Sequence, residues 1–141
     1  MPDLYLFDGY NLLRAGRFAD ARELVDALAS YVALRGGRGV VVFDGVGEDV
    51  TRGPLEVRFA QHADTLLERI AADRRNEERV LLVTSDATLA AATGLEVAKL
   101  SSQTFLRDFE RGGRREDGPR GLGGKLDAAT RERLERLRRG E

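Results

Sequence analysis

The 141-residue chain contains no cysteine and a single histidine, His62. The absence of cysteine excludes disulfide scaffolds, zinc fingers, iron–sulfur clusters and thiol nucleophiles. One imidazole also excludes metal sites built from several histidines and mechanisms that need two. No apolar run approaches the roughly 20 residues of a membrane-spanning helix. Any catalytic chemistry of this chain must therefore rest on carboxylates.

Charge is nearly balanced in total but unevenly distributed. The chain has 23 basic and 24 acidic residues and a formal net charge of −1. Residues 111–141 contain ten basic and six acidic residues, a net +4, which leaves −5 on residues 1–110. The total argues against binding polyanions by bulk charge alone. The first residues carry Asp3 where a signal peptide needs a positive start, so we expect a cytoplasmic protein that makes no membrane contact.

Continuous apolar runs predict a buried, mostly parallel sheet. Residues 4–7, 39–43 and 80–83 are apolar without alternation, which is typical of strands buried on both faces. Residues 95–100 are predicted to form a fourth central strand and residues 55–59 an edge strand.

Helical patterns alternate with these strands. Residues 19–34, 63–75, 87–93 and 102–111 predict helices, the last capped by Ser101, whereas Asp8 and Gly9 predict a turn. The order of elements predicts an α/β fold with helices on both faces of the sheet. Residues 112–141 are predicted to form a Gly/Arg-rich linker followed by a charged helix at residues 126–139.

Three predicted strands lead into an aspartate: Asp8, Asp44 and, after two small polar residues, Asp86. A lone aspartate after a strand is commonly a helix cap or a turn former. Ligands of open α/β sheets bind outside the carboxyl ends of the parallel strands, where these three carboxylates should meet. We therefore expect them to serve a common function.

A fourth and a fifth carboxylate lie on the helix predicted at residues 63–75. Asp64 and Glu68 are four residues apart, so they share a helix face beside the apolar stripe. An acidic first turn favoured by the helix dipole is the alternative explanation. Clustered carboxylates without a nearby lysine call for a cation, and oxygen ligands suit Mg²⁺ or Mn²⁺. Such a cation lowers the pKa of a bound water and stabilises the leaving oxygen of a phosphodiester.

Several sequence blocks together carry a family resemblance. The motif DGYNLL at residues 8–13 is followed by VVFDG at 41–45, AD at 63–64 with Glu68, and VTSD at 83–86. The chain closes on LERLRRGE. In this order the blocks resemble the YacP-like branch of the NYN domain family over nearly the whole chain. The resemblance implies a PIN-like three-layer α/β fold for a nuclease domain at residues 1–111. It also implies a Mg²⁺-dependent endoribonuclease, in a branch that contains a ribosome-associated enzyme cleaving messenger RNA.

The resemblance also implies the site residues. Asp8, Asp64 and Asp86 match the acidic site, with Asp44 nearby as a further metal ligand. Asn11 matches the asparagine of the motif, whose amide is expected to orient Asp8 or a metal-bound water. Gln61 departs from the family, since relatives often have a glutamate there, and the loop at residues 14–18 is shorter than in relatives.

Further residues are expected to contact or support these. Glu68 and Ser85 should support the acidic group from just outside it. Tyr10 is the candidate for stacking on a base. Salt-dependent backbone contacts supply most non-specific affinity for RNA, so arginines and the basic tail are candidate phosphate contacts. The candidate arginines are Arg17, Arg52 and Arg58.

Two other functions stay open. A domain of the same fold that binds RNA or the ribosome but does little chemistry would suit the charged tail and the missing acid at Gln61. A nuclease or phosphatase acting on DNA or small phosphoesters would use the same carboxylates. The leading prediction is a Mg²⁺- or Mn²⁺-dependent endoribonuclease acting on single-stranded RNA, with the ribosome as a candidate partner and the oligomeric state open.

Overall fold

The computed structural model describes residues 1–117, with side chains described for residues 1–110. The helix predicted at residues 126–139 lies outside the described residues, so the division of the chain near residue 111 stays a prediction. The five described helices include none with both the length and the apolar character needed to cross a bilayer.

One mixed sheet of six strands forms the centre of the described chain. Its order is β3-β4-β2-β1-β5-β6, and every neighbouring pair is parallel except β3 with β4. The predicted α/β fold with a mostly parallel sheet is therefore confirmed. The strands are β1 (Leu4–Asp8), β2 (Arg38–Asp44), β3 (Val50–Arg52), β4 (Leu55–Ala60), β5 (Val80–Val83) and β6 (Ala98–Leu100).

Two strand positions were predicted wrongly. The strand at residues 55–59 was expected at an edge, but β3 pairs beyond it, so β4 is internal. All three residues of β3 are exposed, which explains why apolar patterning did not reveal it. The strand at residues 95–100 was expected in the centre, but β6 is a three-residue edge strand. Leu95, which contributed to its apolar pattern, is almost fully exposed before the strand begins.

The helices cover both faces of the sheet. Those on one face are α1 (Gly9–Ala15), α2 (Ala21–Arg35) and α5 (Ser102–Asp117), and those on the other are α3 (Ala63–Arg74) and α4 (Ala87–Ala92). The central strand shows how the core divides, because successive side chains point to opposite faces. Tyr5 and Phe7 pack with the first group of helices, and Leu4 and Leu6 with the second.

Helix α1 replaces the turn that was predicted at Asp8 and Gly9. A Cβ atom at Gly9 would lie 2.5 Å from a ring carbon of Phe43 and 2.8 Å from the carbonyl oxygen of Val42. Only glycine therefore lets the helix start directly against β2. The helix positions the residues that follow Asp8 in the DGYN motif.

Helix α5 is anchored by aromatic packing. Phe105 lies 4.8 Å from Tyr31 of α2 and 5.5 Å from Phe7 of β1, measured between ring centroids. The predicted cap is confirmed, since the Ser101 hydroxyl oxygen accepts a hydrogen bond from the Thr104 backbone N–H at 3.1 Å. The helix continues past residue 111 to Asp117.

Because Gly9 lies so close to β2, even the added methyl group of alanine is expected to destabilise the fold. Gly9→Ala should lower the free energy of unfolding by about 1–3 kcal/mol, because the new methyl group forces Phe43 or the β2 backbone to move. Thermal or urea unfolding of the two proteins measures this difference.

Gly36→Ala provides the comparison. Gly36 has a φ of 83° and open space around its Cα, so that variant should lose about 1 kcal/mol from backbone strain alone. A smaller loss for Gly9→Ala than for Gly36→Ala would contradict the packing argument.

Candidate active site

The carboxyl edge of the sheet brings three aspartates to adjacent strands. Asp8 ends the central strand β1 and lies level with Val42 of β2, two residues before Asp44. On the other side Phe7 is level with Val83, so Asp8 faces the segment that leads to Asp86. The expected meeting of Asp8, Asp44 and Asp86 at one edge follows directly from this parallel register.

Thr84 links the two aspartates on either side of it. Its hydroxyl donates to Oδ2 of Asp8 at 2.7 Å and accepts from the backbone N–H of Asp86 at 3.1 Å. The side chain is buried, with 5% of its surface exposed. Thr84 therefore fixes Asp8 relative to the start of α4.

The pKa of Asp8 is raised by its environment. Its partial burial raises the pKa above the usual value, and the charges of Asp86 and Asp44 raise it further. The hydrogen bond from Thr84 and the charge of Arg14 act in the opposite direction. The net direction is upward, so ionised Asp8 is destabilised in this environment.

Asp44 and Asp86 also serve as backbone acceptors. Oδ1 of Asp44 accepts from the backbone N–H of Ala63 at 2.7 Å and so holds the start of α3. Oδ1 of Asp86 accepts from the N–H groups of Thr88 and Leu89, as the N-cap of α4. The second oxygen of each carboxylate accepts no hydrogen bond within the described residues. Helix capping therefore occupies one carboxylate oxygen of each side chain and leaves the second oxygen available to a ligand.

Asp64 and Glu68 are placed differently. Both are exposed on α3, whereas the core stripe of this helix consists of Ala63, Leu67 and Ala71. Oδ1 of Asp64 accepts from the adjacent backbone N–H of Thr65 at 2.9 Å. Asp64 and Glu68 therefore lie on the exposed side of α3, away from its core-facing stripe.

The donor set at this edge fits a hard divalent cation. Mg²⁺ is commonly held by one or two carboxylates together with water and substrate phosphates. Asp8 also keeps one oxygen without a donor in the described part of the chain. Among the described residues, no three or more acidic or histidine side chains are grouped closely enough to hold a metal ion. The residues present therefore fit a cation held by few protein ligands and not one enclosed by the protein.

Asn11 is locked by a polar network that joins α1 to α5. Its Oδ1 accepts from the backbone N–H of Ser85 at 2.9 Å and from the hydroxyl of Ser102 at 2.5 Å. A backbone N–H can only donate, so the amide oxygen must face Ser85 and the amide nitrogen must point elsewhere. That nitrogen has no partner within residues 1–110. The network presents Asn11, three residues after Asp8, with a free donor.

Sequence reasoning missed Thr84, Ser102 and Gln103. Ser102 is completely buried, and its N–H donates to Oγ of Ser85 at 3.1 Å. Oγ of Ser85 in turn donates to Gln103 at 2.5 Å. A signal was present, because the SSQ sequence follows a strand just as the aspartates do. It was interpreted as a helix cap alone.

The predicted substrate-binding residues are scattered. Tyr10 lies near the edge, with its ring 5.0 Å from that of Phe43, and Arg17 is exposed without an ion pair to a described residue. Arg52 pairs with Asp26 at 2.6 Å and lies level with the start of β2, at the far end of the sheet.

The structure also shows the surroundings of Arg58, Arg14 and Gln61. Arg58 is 3.8 Å from both Asp49 and Glu56. Arg14, which was not predicted to act here, influences Asp8 electrostatically. Gln61, exposed after β4, lines a cleft of about 440 Å³ with residues of the loop after Asp44.

Comparisons with known proteins identify the family and support the fold. The family model of the YacP-like NYN domain matches residues 5–139. Two crystal structures of Rae1 (YacP) from Bacillus subtilis are similar at 29% sequence identity. For the first, of a mutant protein, the TM-score is 0.65 with 98% of this chain and 96% of that chain covered. For the second the TM-score is 0.61, with 81% and 77% covered.

A comparison with curated proteins finds no match. The family match extends from the second residue of β1 to two residues before the end of the chain, and the structural match covers nearly the whole of both chains. The chain therefore belongs to the YacP-like NYN domain family, whose PIN-like fold is that of a nuclease.

Proposed function

We propose that this protein is a metal-dependent endoribonuclease that hydrolyses single-stranded RNA at the carboxyl edge of the sheet. The observation that carries the proposal is Asp8, a partly buried carboxylate between Asp44 and Asp86 with an upward-shifted pKa. Such an arrangement is unfavourable for stability alone and is typical of a site that neutralises it with a ligand. The ligand proposed is Mg²⁺ or Mn²⁺, bound when the enzyme is active.

Each residue of the edge has a definite task in this proposal. Asp8 would hold the cation, helped by Asp86 or Asp44. The motif match implies a part for Asp64 as well, on the exposed side of α3. When bound, the cation would supply positive charge at the phosphodiester and acidify water. Thr84 keeps Asp8 oriented, and Asn11 presents its amide nitrogen as a donor for a phosphate oxygen. Messenger RNA on the ribosome is a candidate substrate, with the ribosome as partner.

The binding module without strong catalysis is the second candidate. It is favoured by one observation: within the described residues the carboxylates do not form a group of three able to hold a metal. It predicts RNA binding without an effect of metal. The nuclease proposal predicts that metal acts on both stability and cleavage.

Removing the charge of Asp8 or Asp86 should abolish most cleavage. Asp8→Asn and Asp86→Asn are expected to lower kcat on an unstructured RNA by at least about 100-fold, because transition-state charge loses its stabilisation. Asp64→Asn should also lose activity. Cleavage is followed on a 5′-labelled oligonucleotide in Mg²⁺ or Mn²⁺, with DNA and p-nitrophenyl phosphate as alternative substrates.

Asp73→Asn is the matched control for these variants. Asp73 is exposed near the end of α3, so the Asp73→Asn variant should cleave RNA at the same rate as the wild type. Undiminished cleavage by Asp8→Asn would refute the proposal. Faster turnover of DNA or of the small phosphoester would favour the nuclease or phosphatase that acts on those substrates.

The raised pKa of Asp8 predicts a stability effect of known sign. Its folded-state pKa lies above the unfolded one, so the ionised group destabilises the fold at neutral pH, and the penalty disappears as the pH falls through the folded pKa. In EDTA, Asp8→Asn should therefore raise Tm by a few degrees at pH 7.5 and by less at acidic pH. Thermal unfolding followed by circular dichroism measures both.

Asp64→Asn distinguishes this effect from a general loss of negative charge. Asp64 lies in the first turn of α3, where its charge favours the helix, so its removal should lower Tm slightly. A lower Tm for Asp8→Asn than for the wild type at pH 7.5 would contradict the electrostatic argument.

Metal should stabilise the folded chain by mass action. Mn²⁺ at about 100 times its dissociation constant would add about 2.7 kcal/mol, which is a rise of several degrees in Tm. The rise should be smaller in Asp8→Asn and unchanged in Asp73→Asn. No rise in the wild type, together with RNA binding that does not depend on metal, would favour the binding module.

A further inference from the structure

A cleft beside Asp86 has no role in the site described so far. It lies between α4 and the start of α5 and has a volume of about 390 Å³. Asp86 forms part of its wall, so the cleft opens directly onto the carboxyl edge. More than half of its lining residues are exposed, so the cleft is open to solvent. The side chains that argue for a ligand are Gln103 and Lys99.

Gln103 presents an oriented hydrogen-bond donor in this cleft. The hydroxyl of Ser85 accepts from the backbone N–H of Ser102 and donates to Oε1 of Gln103 at 2.5 Å. With the amide oxygen held by Ser85, the amide nitrogen has no partner in residues 1–110. Ser85 therefore connects the exposed Gln103 side chain to the polar network that holds Asn11.

Lys99 is the basic residue that lines the same cleft. The sequence has 23 basic residues, of which only Lys99 and Lys125 are lysines. The Lys99 ammonium donates to the carbonyl oxygen of Gly94, and it keeps two further N–H donors. An ammonium of this kind binds phosphate as a compact charge. The apolar part of the wall comes from Ala90 and Leu100.

We propose that this cleft binds the nucleotide next to the cleaved phosphodiester of a single-stranded RNA. Lys99 contacts a backbone phosphate, and the Gln103 amide donates to an acceptor atom on the base edge. Ala90 contacts the flat face of the base. The proposal rests on the proposed nuclease function, because Asp86 of the proposed site forms part of the cleft wall. It assigns substrate positioning to residues that carry no chemistry themselves.

Gln103→Glu tests the donor with the network intact. The glutamate can still accept the hydroxyl of Ser85, but it offers no donor and places a negative charge in the cleft. We expect KM for a short unstructured RNA to rise about tenfold, with kcat little changed. In the cleavage-deficient Asp8→Asn background, the dissociation constant for the same RNA should rise by a similar factor in a fluorescence anisotropy titration.

Asn76→Asp is the matched control. It makes the same amide-to-carboxylate change at an exposed position just before β5, at the opposite edge of the sheet. Lys99→Gln should likewise raise KM, whereas Arg79→Gln, also before β5, should not. Thermal unfolding verifies that each variant is folded. Because Lys99 also bonds to Gly94, Gln103→Glu alone tests the cleft if Lys99→Gln unfolds.

The possible results test the cleft proposal and the nuclease proposal separately. If the wild type cleaves and Gln103→Glu behaves like Asn76→Asp, the cleft proposal is overturned and the nuclease stands. If the wild type does not cleave, the nuclease proposal fails, and the binding titration alone decides the cleft. Weaker RNA binding by Gln103→Glu but not by Asn76→Asp supports it. Equal binding overturns it.

Discussion

A carboxylate at the end of a central strand loses part of its hydration, and Asp8 is held in that position between two further carboxylates. The parallel register of β1 with β2 and β5 determines that these residues meet, and the charges of Asp86 and Asp44 add to the cost of burial. Thr84 and Arg14 offset only part of it. A fold that depended on stability alone would place an asparagine here. Binding of the proposed cation would remove this energetic deficit.

The polar network behind this edge connects the site to the core. Ser102 is the first residue of α5 and donates to Asn11, while Phe105, one turn later, packs on Phe7 and Tyr31. Aromatic burial thus fixes the helix whose first turn orients the site. Because the hydroxyl and N–H of Ser102 are both used within the network, small displacements of α5 would disturb Asn11 and Ser85 together.

The sequence allowed the core strands and the aspartates at their ends to be predicted, because apolar runs and strand ends are local patterns. Helix α1 could not be predicted, since Gly9 lowers helix propensity and is required by a contact with Phe43 that lies 34 residues away. Arg52 lies far from the aspartates because β3 pairs with β4. This pairing could not be predicted, since all three residues of β3 are exposed and form no apolar pattern. The role of Ser102 depends on a partner 91 residues distant, so no local pattern could indicate it.

The distribution of paired charges explains how a nearly neutral chain could still approach a polyanion. Several arginines of the described residues are matched by acids away from the carboxyl edge, as in the pairs Arg38–Glu78 and Arg52–Asp26 at 2.6 Å. Arg14 and Arg17, at the end of α1 and just beyond it, have no ion pair to a described residue. Positive charge is therefore left available on the helix that begins at Asp8. In the proposed function, phosphate attraction would depend on where the unpaired arginines lie and not on the total charge. The aspartates would keep the edge itself repulsive until a cation bound.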